Sequence, residues 1–143
     1  MLTTMACLLV AGAVVSLRLD AAGPKDAFDG VGAVSAGASS RLLFDYPEPS
    51  RTRILDLLFK PKYGASFQTL KIEIGGDTNS TDGTEPGFMR RRGEPNWNRG
   101  YEWWLAKEAR KRNPKLVLSA LAWGAPGWIG DGKFYSQDGA DYL

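Results

Sequence analysis

The sequence predicts an α/β fold with parallel strands, a partial (β/α)8 TIM barrel amounting to roughly its first three βα units. Three observations carry this prediction. Short β-branched runs alternate with stretches of helical periodicity, joined by connections of the length found in βαβ units. Leu70-Lys71-Ile72-Glu73-Ile74 runs directly into the polar loop Gly75 to Pro86, a strand followed by a loop at its C-terminal end. Val117 to Ala122 barely alternates, the pattern of a parallel strand buried on both faces.

In chain order, Phe28 to Val34 reads as a weak strand, followed by the small residues Ser35 to Ser40. Pro49 suits the first turn of a helix, in which Ile54, Leu55, Leu57 and Leu58 recur up to Phe59 before Pro61 stops it. Phe67 to Ile74 is the second strand. After the polar loop and an irregular stretch, Arg99 to Arg112 is the clearest helix. Tyr101, Trp104, Leu105 and Ala109 form one apolar stripe there. Glu102 near its start and Lys107, Arg110, Lys111 and Arg112 near its end match the helix dipole. Asn113-Pro114 ends it, Lys115 to Trp123 is the third strand, and Gly124 to Gly132 is a second loop at a strand's C-terminal end. Ser136 to Leu143 begins another helix and breaks off. A complete barrel takes roughly 250 residues, so the expectation for these 143 is a truncated chain.

Composition bounds the function. A formal charge of +2 is too mild for a nucleic-acid partner, and Arg90-Arg91-Arg92 reads as a solvated loop. The absence of histidine excludes Ser-His-Asp chemistry and histidine metal ligands within the chain. No cofactor and no metal is expected. Ala6 to Leu17 is a run of twelve apolar or small residues, suited to a signal-peptide core and too short to span a bilayer. Residues 1–22 are therefore read as a signal peptide and N-terminal segment, with a buried strand or a gene-model artefact as the alternatives. Residues 23–143 are the N-terminal portion of the barrel domain. Cleavage would remove Cys7, the single thiol.

A polar ligand is expected at the C-terminal ends of the strands, where α/β folds build their sites. A sugar pocket needs aromatic faces for the C–H side of the ring and polar groups for its hydroxyls. Trp123 ends the third strand, while Thr81 and Asp82 lie in the neighbouring strand's loop. Trp123 is either a pocket wall or a core tryptophan; Trp128 reads as packing or rim, and Trp103 and Trp104 as core. Glu73 sits inside a strand, facing away from Ile72 and Ile74, and needs a partner if buried. Asp77, Asp82 and Glu85 read as holding turns and backbone amides. Asn79-Ser80-Thr81 is a glycosylation sequon.

Longer runs carry a resemblance. Phe28 to Ser35, Ser40 to Leu43, Tyr46 to Pro49, Ile54 to Asp56 with Leu58 to Pro61, Lys71 to Asp77 save one variable position, Thr81 to Pro86, Arg99 to Leu105, Lys111 to Pro114, and Trp123 with Pro126-Gly127-Trp128 together resemble the start of the galactosylceramidase family. The similarity runs almost without gaps from Phe28 to Trp128. It implies a retaining glycosidase with a (β/α)8 barrel, a β-sandwich and a lectin-like domain. Such an enzyme removes galactose from galactosyl sphingolipids, in lysosomes or after secretion, with a saposin-type activator presenting the lipid. The resemblance places Thr81 and Trp123 against the galactose. It puts the acid/base and nucleophile glutamates beyond Leu143, so no catalytic residue falls within the chain. Retaining chemistry needs that pair roughly 5 Å apart, and the chain alone is expected to be inactive.

Two departures from the family pattern stand out. Ala36-Gly37-Ala38 replaces a glycine-only run, and Gly87-Phe88-Met89-Arg90-Arg91-Arg92 replaces a segment that bears histidine. The rival readings are another barrel glycosidase acting on glucosyl lipids or polysaccharides, and a truncated sugar-binding product without turnover.

Overall fold

The computed structural model describes residues 28–37, 39–77, 79–80, 83–130 and 135–143. Its elements are β1 (Gly32–Ser35), α1 (Ser39–Asp45), α2 (Ser50–Phe59), β2 (Thr69–Ile74), β3 (Asn79–Ser80), β4 (Gly83–Thr84), α3 (Glu102–Arg112), β5 (Val117–Ala122) and α4 (Gln137–Tyr142). The expected targeting segment, Cys7 included, lies outside the described residues, as do Thr81 and Asp82.

The main sheet has the order β1-β2-β5, with both pairings parallel. Parallel neighbours need a crossover, and α2 and α3 occupy the two crossovers. Their buried faces follow from helical spacing. Leu55 and Phe59 of α2, and Leu105 and Ala109 of α3, stand four residues apart and meet Leu70 and Ile72 of β2. Each large apolar side chain buried there contributes about 2 kcal/mol.

Polar ties fix the layers at their far end. Arg112 Nε donates to Asp56 Oδ1 at 2.7 Å, joining α3 to α2. Asn113 Nδ2 donates to the Phe67 carbonyl at 3.0 Å, and its Oδ1 accepts from the Lys115 amide at 3.2 Å. These bonds seat the end of α3 beside the entry to β2.

Ser39–Asp45 forms a helix in a stretch to which the sequence reading assigned no element. One expectation needs correction: β5 is not covered on both faces, since Val117, Leu118 and Leu121 are all exposed. Its apolar run, interrupted only by Ser119, is suited to a strand with neighbours on every side. Among the described residues, however, β5 pairs with β2 alone.

A second core lies at the C-terminal ends of the strands. Phe88, Ile129 and Tyr142 are buried there against Ile74, Met89, Trp103 and Trp128. The Phe88 ring stacks between Trp97, at 4.5 Å, and Tyr142, at 5.0 Å. Segments read from sequence as irregular loop are thereby packed into a solid plug under the sheet's rim. No helix among the described residues is long and apolar enough to cross a membrane.

Candidate functional site

Parallel register decides what meets at this rim. Ile74 pairs with Ala122, so the chain leaves β2 at Gly75 and β5 at Trp123 on the same level and at the same end. The two exits touch through their backbones. A Cβ on Gly76 would collide with the Gly124 carbonyl and lie 2.8 Å from the Ala125 nitrogen. Only glycine permits that approach.

The described residues between Gly75 and Gly87 form a strap at the rim. The Tyr142 hydroxyl donates to the Gly75 carbonyl. The Asp77 amide donates to the Glu85 carbonyl at 3.2 Å, closing the strap's base. Beyond that closure β3 and β4 pair antiparallel, Asn79 with Thr84 and Ser80 with Gly83. Thr81 falls between these two short strands in sequence. Trp123 stands one residue past β5 with 64% of its surface exposed.

The strap is held to α3 in two ways. Arg99 grips Asp77 with both terminal nitrogens, at 2.5 and 2.8 Å, and donates to the Gly87 carbonyl at 2.5 Å. Glu85 is fully buried, and its Oε1 accepts from the Tyr101 and Glu102 amides at 3.3 and 3.4 Å. Those amides open α3, where a carboxylate satisfies donors that lack helical partners. Burial and then the charge of nearby Glu102 push the Glu85 carboxyl up to about 8. Its other oxygen has no hydrogen-bond partner among the described residues. Burial also raises the Tyr101 hydroxyl, with Glu85 next in effect.

Glu102 is buried as well and accepts from the Ser35 hydroxyl at 3.0 Å. Glu73 is buried with its Oε2 on the Gly37 amide at 2.5 Å, so its partner is a backbone donor rather than a cation. Three glutamates therefore lie under the rim, sealed from solvent. With Glu85 and Glu102 at 1% and 0% exposure, no sugar reaches that pair, and they act as internal props.

Outside the seal, a cleft of about 410 Å³ opens between Asp77, Arg90, Arg99, Gly127 and Trp128. The Trp128 indole donates to the Met89 carbonyl at 2.9 Å, and Arg92 lies over its ring at 5.0 Å. Trp128 is thus a packed wall of the rim. No group of acidic or cysteine side chains suited to a metal ion occurs among the described residues.

Sequence reasoning missed Arg99, which reads as the first helical residue but stands ahead of α3 as a clamp. It also missed Glu85 as a fully enclosed acid. The Gly75-Gly76 pair was the one available signal of close backbone contact.

The chain is 57% identical over 129 residues to galactocerebrosidase of Canis lupus familiaris, covering 90% of itself and 19% of that protein. It is 55% identical over 127 residues to galactocerebrosidase of Homo sapiens, covering 88% and 18%. A putative galactocerebrosidase of Caenorhabditis elegans is 44% identical over 107 residues, with 73% and 16% covered. The chain thus spans less than a fifth of the length of these relatives. Among solved structures, SrfJ from Salmonella typhimurium aligns with a TM-score of 0.59 at 18% identity, over 80% of this chain and 28% of that one. An endo-β1,6-glucanase aligns at 0.55 and 24% identity, over 78% and 25%. These two likenesses concern the fold alone, an α/β arrangement around a parallel sheet. Residues 28–143, the whole span from β1 to the end of α4, match the pattern of glycosyl hydrolase family 59, and the chain belongs to that family.

Proposed function

We propose that this chain is part of a retaining β-galactosidase of the galactosylceramidase type, acting on galactosylceramide and related galactolipids. The observation that carries the reading is 55–57% identity to galactocerebrosidases across nine-tenths of the chain. The parallel sheet is the opening portion of a (β/α)8 barrel, and β2 and β5 bring their trailing loops to its mouth. Thr81 holds a galactose hydroxyl there, and Trp123 offers its indole to the apolar face of the ring. The level exit of the two strands and the exposure of Trp123 support this assignment.

Hydrolysis then proceeds by double displacement through two glutamates that the family resemblance puts after Leu143. The first protonates the leaving oxygen and the second forms the glycosyl intermediate. The apolar N-terminal run serves as a signal peptide, leading to the lysosome or to secretion. A saposin-type activator presents the lipid. The test is an assay of the complete gene product on galactosylceramide and glucosylceramide. Galactose release from the first with little turnover of the second is expected, and a preference for the glucosyl lipid overturns the reading. The 143-residue chain assayed alone is expected to release no galactose.

A further inference from the structure

We propose that the cavity between α1 and the start of α3 is a binding site for an organic anion with a flat, apolar body. Its volume is about 460 Å³, within the roughly 300–1,000 Å³ usual for small-molecule sites. It shares no lining residue with the cleft between Asp77 and Trp128. The cavity is thus a second site on the flank of the sheet, apart from the rim.

Helical spacing builds one wall. Trp104, Lys107, Glu108 and Lys111 stand three and four residues apart on α3, on a face distinct from that of Leu105 and Ala109. Phe44 of α1 meets Trp104 edge to face, with ring centres 5.2 Å apart. Trp97, ahead of α3, adds a third ring. It stacks on Phe88 at 4.5 Å and lies edge-on to Trp103 at 4.9 Å, so it is held in place while 47% exposed. Aromatic walls fixed in this way accept a flat body with little ordering left to do.

The charges select the head group. Among the described residues, the Lys107 ammonium has a single acceptor, the Trp97 carbonyl at 3.5 Å. Arg41 donates its Nε to Asp45 at 2.8 Å, and its two terminal nitrogens have no acceptor among the described residues. Glu108, the one carboxylate that lines the cavity, is already taken by Lys111 at 2.5 Å and Arg112 at 2.8 Å. A carboxylate, sulfonate or phosphate head would take charge-assisted bonds from Lys107 and from the free edge of the Arg41 fork. A cation would be repelled by Lys107, and a neutral guest would leave it unused.

The experiment titrates anilinonaphthalene sulfonate into the complete gene product and follows the dye's fluorescence. Phenylnaphthylamine, the same rings without the sulfonate, is the neutral control. Lys107→Gln and Arg41→Gln should each weaken the sulfonate about tenfold, the lower end for a charged hydrogen bond, and leave the neutral dye's affinity unchanged. Both side chains are exposed, so melting temperatures should stay nearly unmoved. Phe44→Ala should weaken both dyes alike. Parental sulfonate affinity in the Lys107→Gln/Arg41→Gln double variant overturns the proposal, and so does an equal loss of both dyes in Lys107→Gln. A parent that binds neither dye, the result if the rest of the protein covers the cavity, overturns it too. Sedimentation run alongside detects a second copy as the occupant: a dimer that these variants dissociate has the same consequence. Should Arg41→Gln fail to fold, Lys107→Gln decides alone.

Discussion

The carbonyl oxygen of Gly124 fills the space into which a side chain on Gly76 would project. The exits of β2 and β5 are consequently locked backbone to backbone, and the two loops of the rim cannot shift independently. Gly76→Ala should displace one exit from the other. The clash is with main-chain atoms, which cannot rotate away, so the loss is expected at the upper end of the 1–3 kcal/mol typical of overpacking. Urea unfolding of the variant checks this, and unaltered stability would show that the rim is loose.

Glu85 makes stability depend on pH. Its carboxyl ordinarily titrates at 4.5 and is raised to about 8 in the folded chain, so the folded state holds the proton more tightly. The stabilising effect is complete below the unfolded value and disappears as pH rises through the folded one. Stability should fall by roughly 1.4 kcal/mol per pH unit across that window. Glu85→Gln keeps the shape without the ionisation and should flatten the dependence. Denaturation midpoints at acid and mildly alkaline pH supply the comparison, and parallel profiles for the two proteins would contradict it.

Trp123 separates binding from folding. Because the indole is mostly exposed, Trp123→Ala should change stability by no more than about 0.5 kcal/mol. Galactose affinity should drop about tenfold, equivalent to ~1.4 kcal/mol. Titration of the sugar against parent and variant reads this out; equal affinities remove Trp123 from the site.

Leu105 behaves in the opposite sense. It is 2% exposed between α3 and the sheet, and Leu105→Ala should cost about 2–5 kcal/mol. Thermal melts report that loss, which should appear whether or not sugar is present.

How much of this was legible depends on the range of the interactions involved. α2 and α3 announced themselves through residues four apart, and β2 through its β-branched run, because those patterns are local. α1 escaped notice: Ser39 and Ser40 follow a stretch of small residues, and the first turn contains no acidic residue. The enclosure of Glu85 was invisible because its neighbours Thr84 and Pro86 belong to a polar loop, and the amides that hold it lie sixteen and seventeen residues away. The Arg99 grip on Asp77 spans twenty-two positions and leaves no periodic trace. Thr81, Asp82 and Trp123 were placed in loops after parallel strands by a topological rule that needs no long-range contact, while the choice of Thr81 and Trp123 as galactose contacts came from the family resemblance.

One edge of β5 has no partner among the described residues, and its apolar side chains face water on both sides. Free amides and carbonyls in a row invite any extended segment to zip alongside. Two copies meeting there would knit into a continuous ribbon, and a concentrated solution would favour that outcome over isolated molecules. A lysine introduced at Leu121 would act as a gatekeeper against such ribbons.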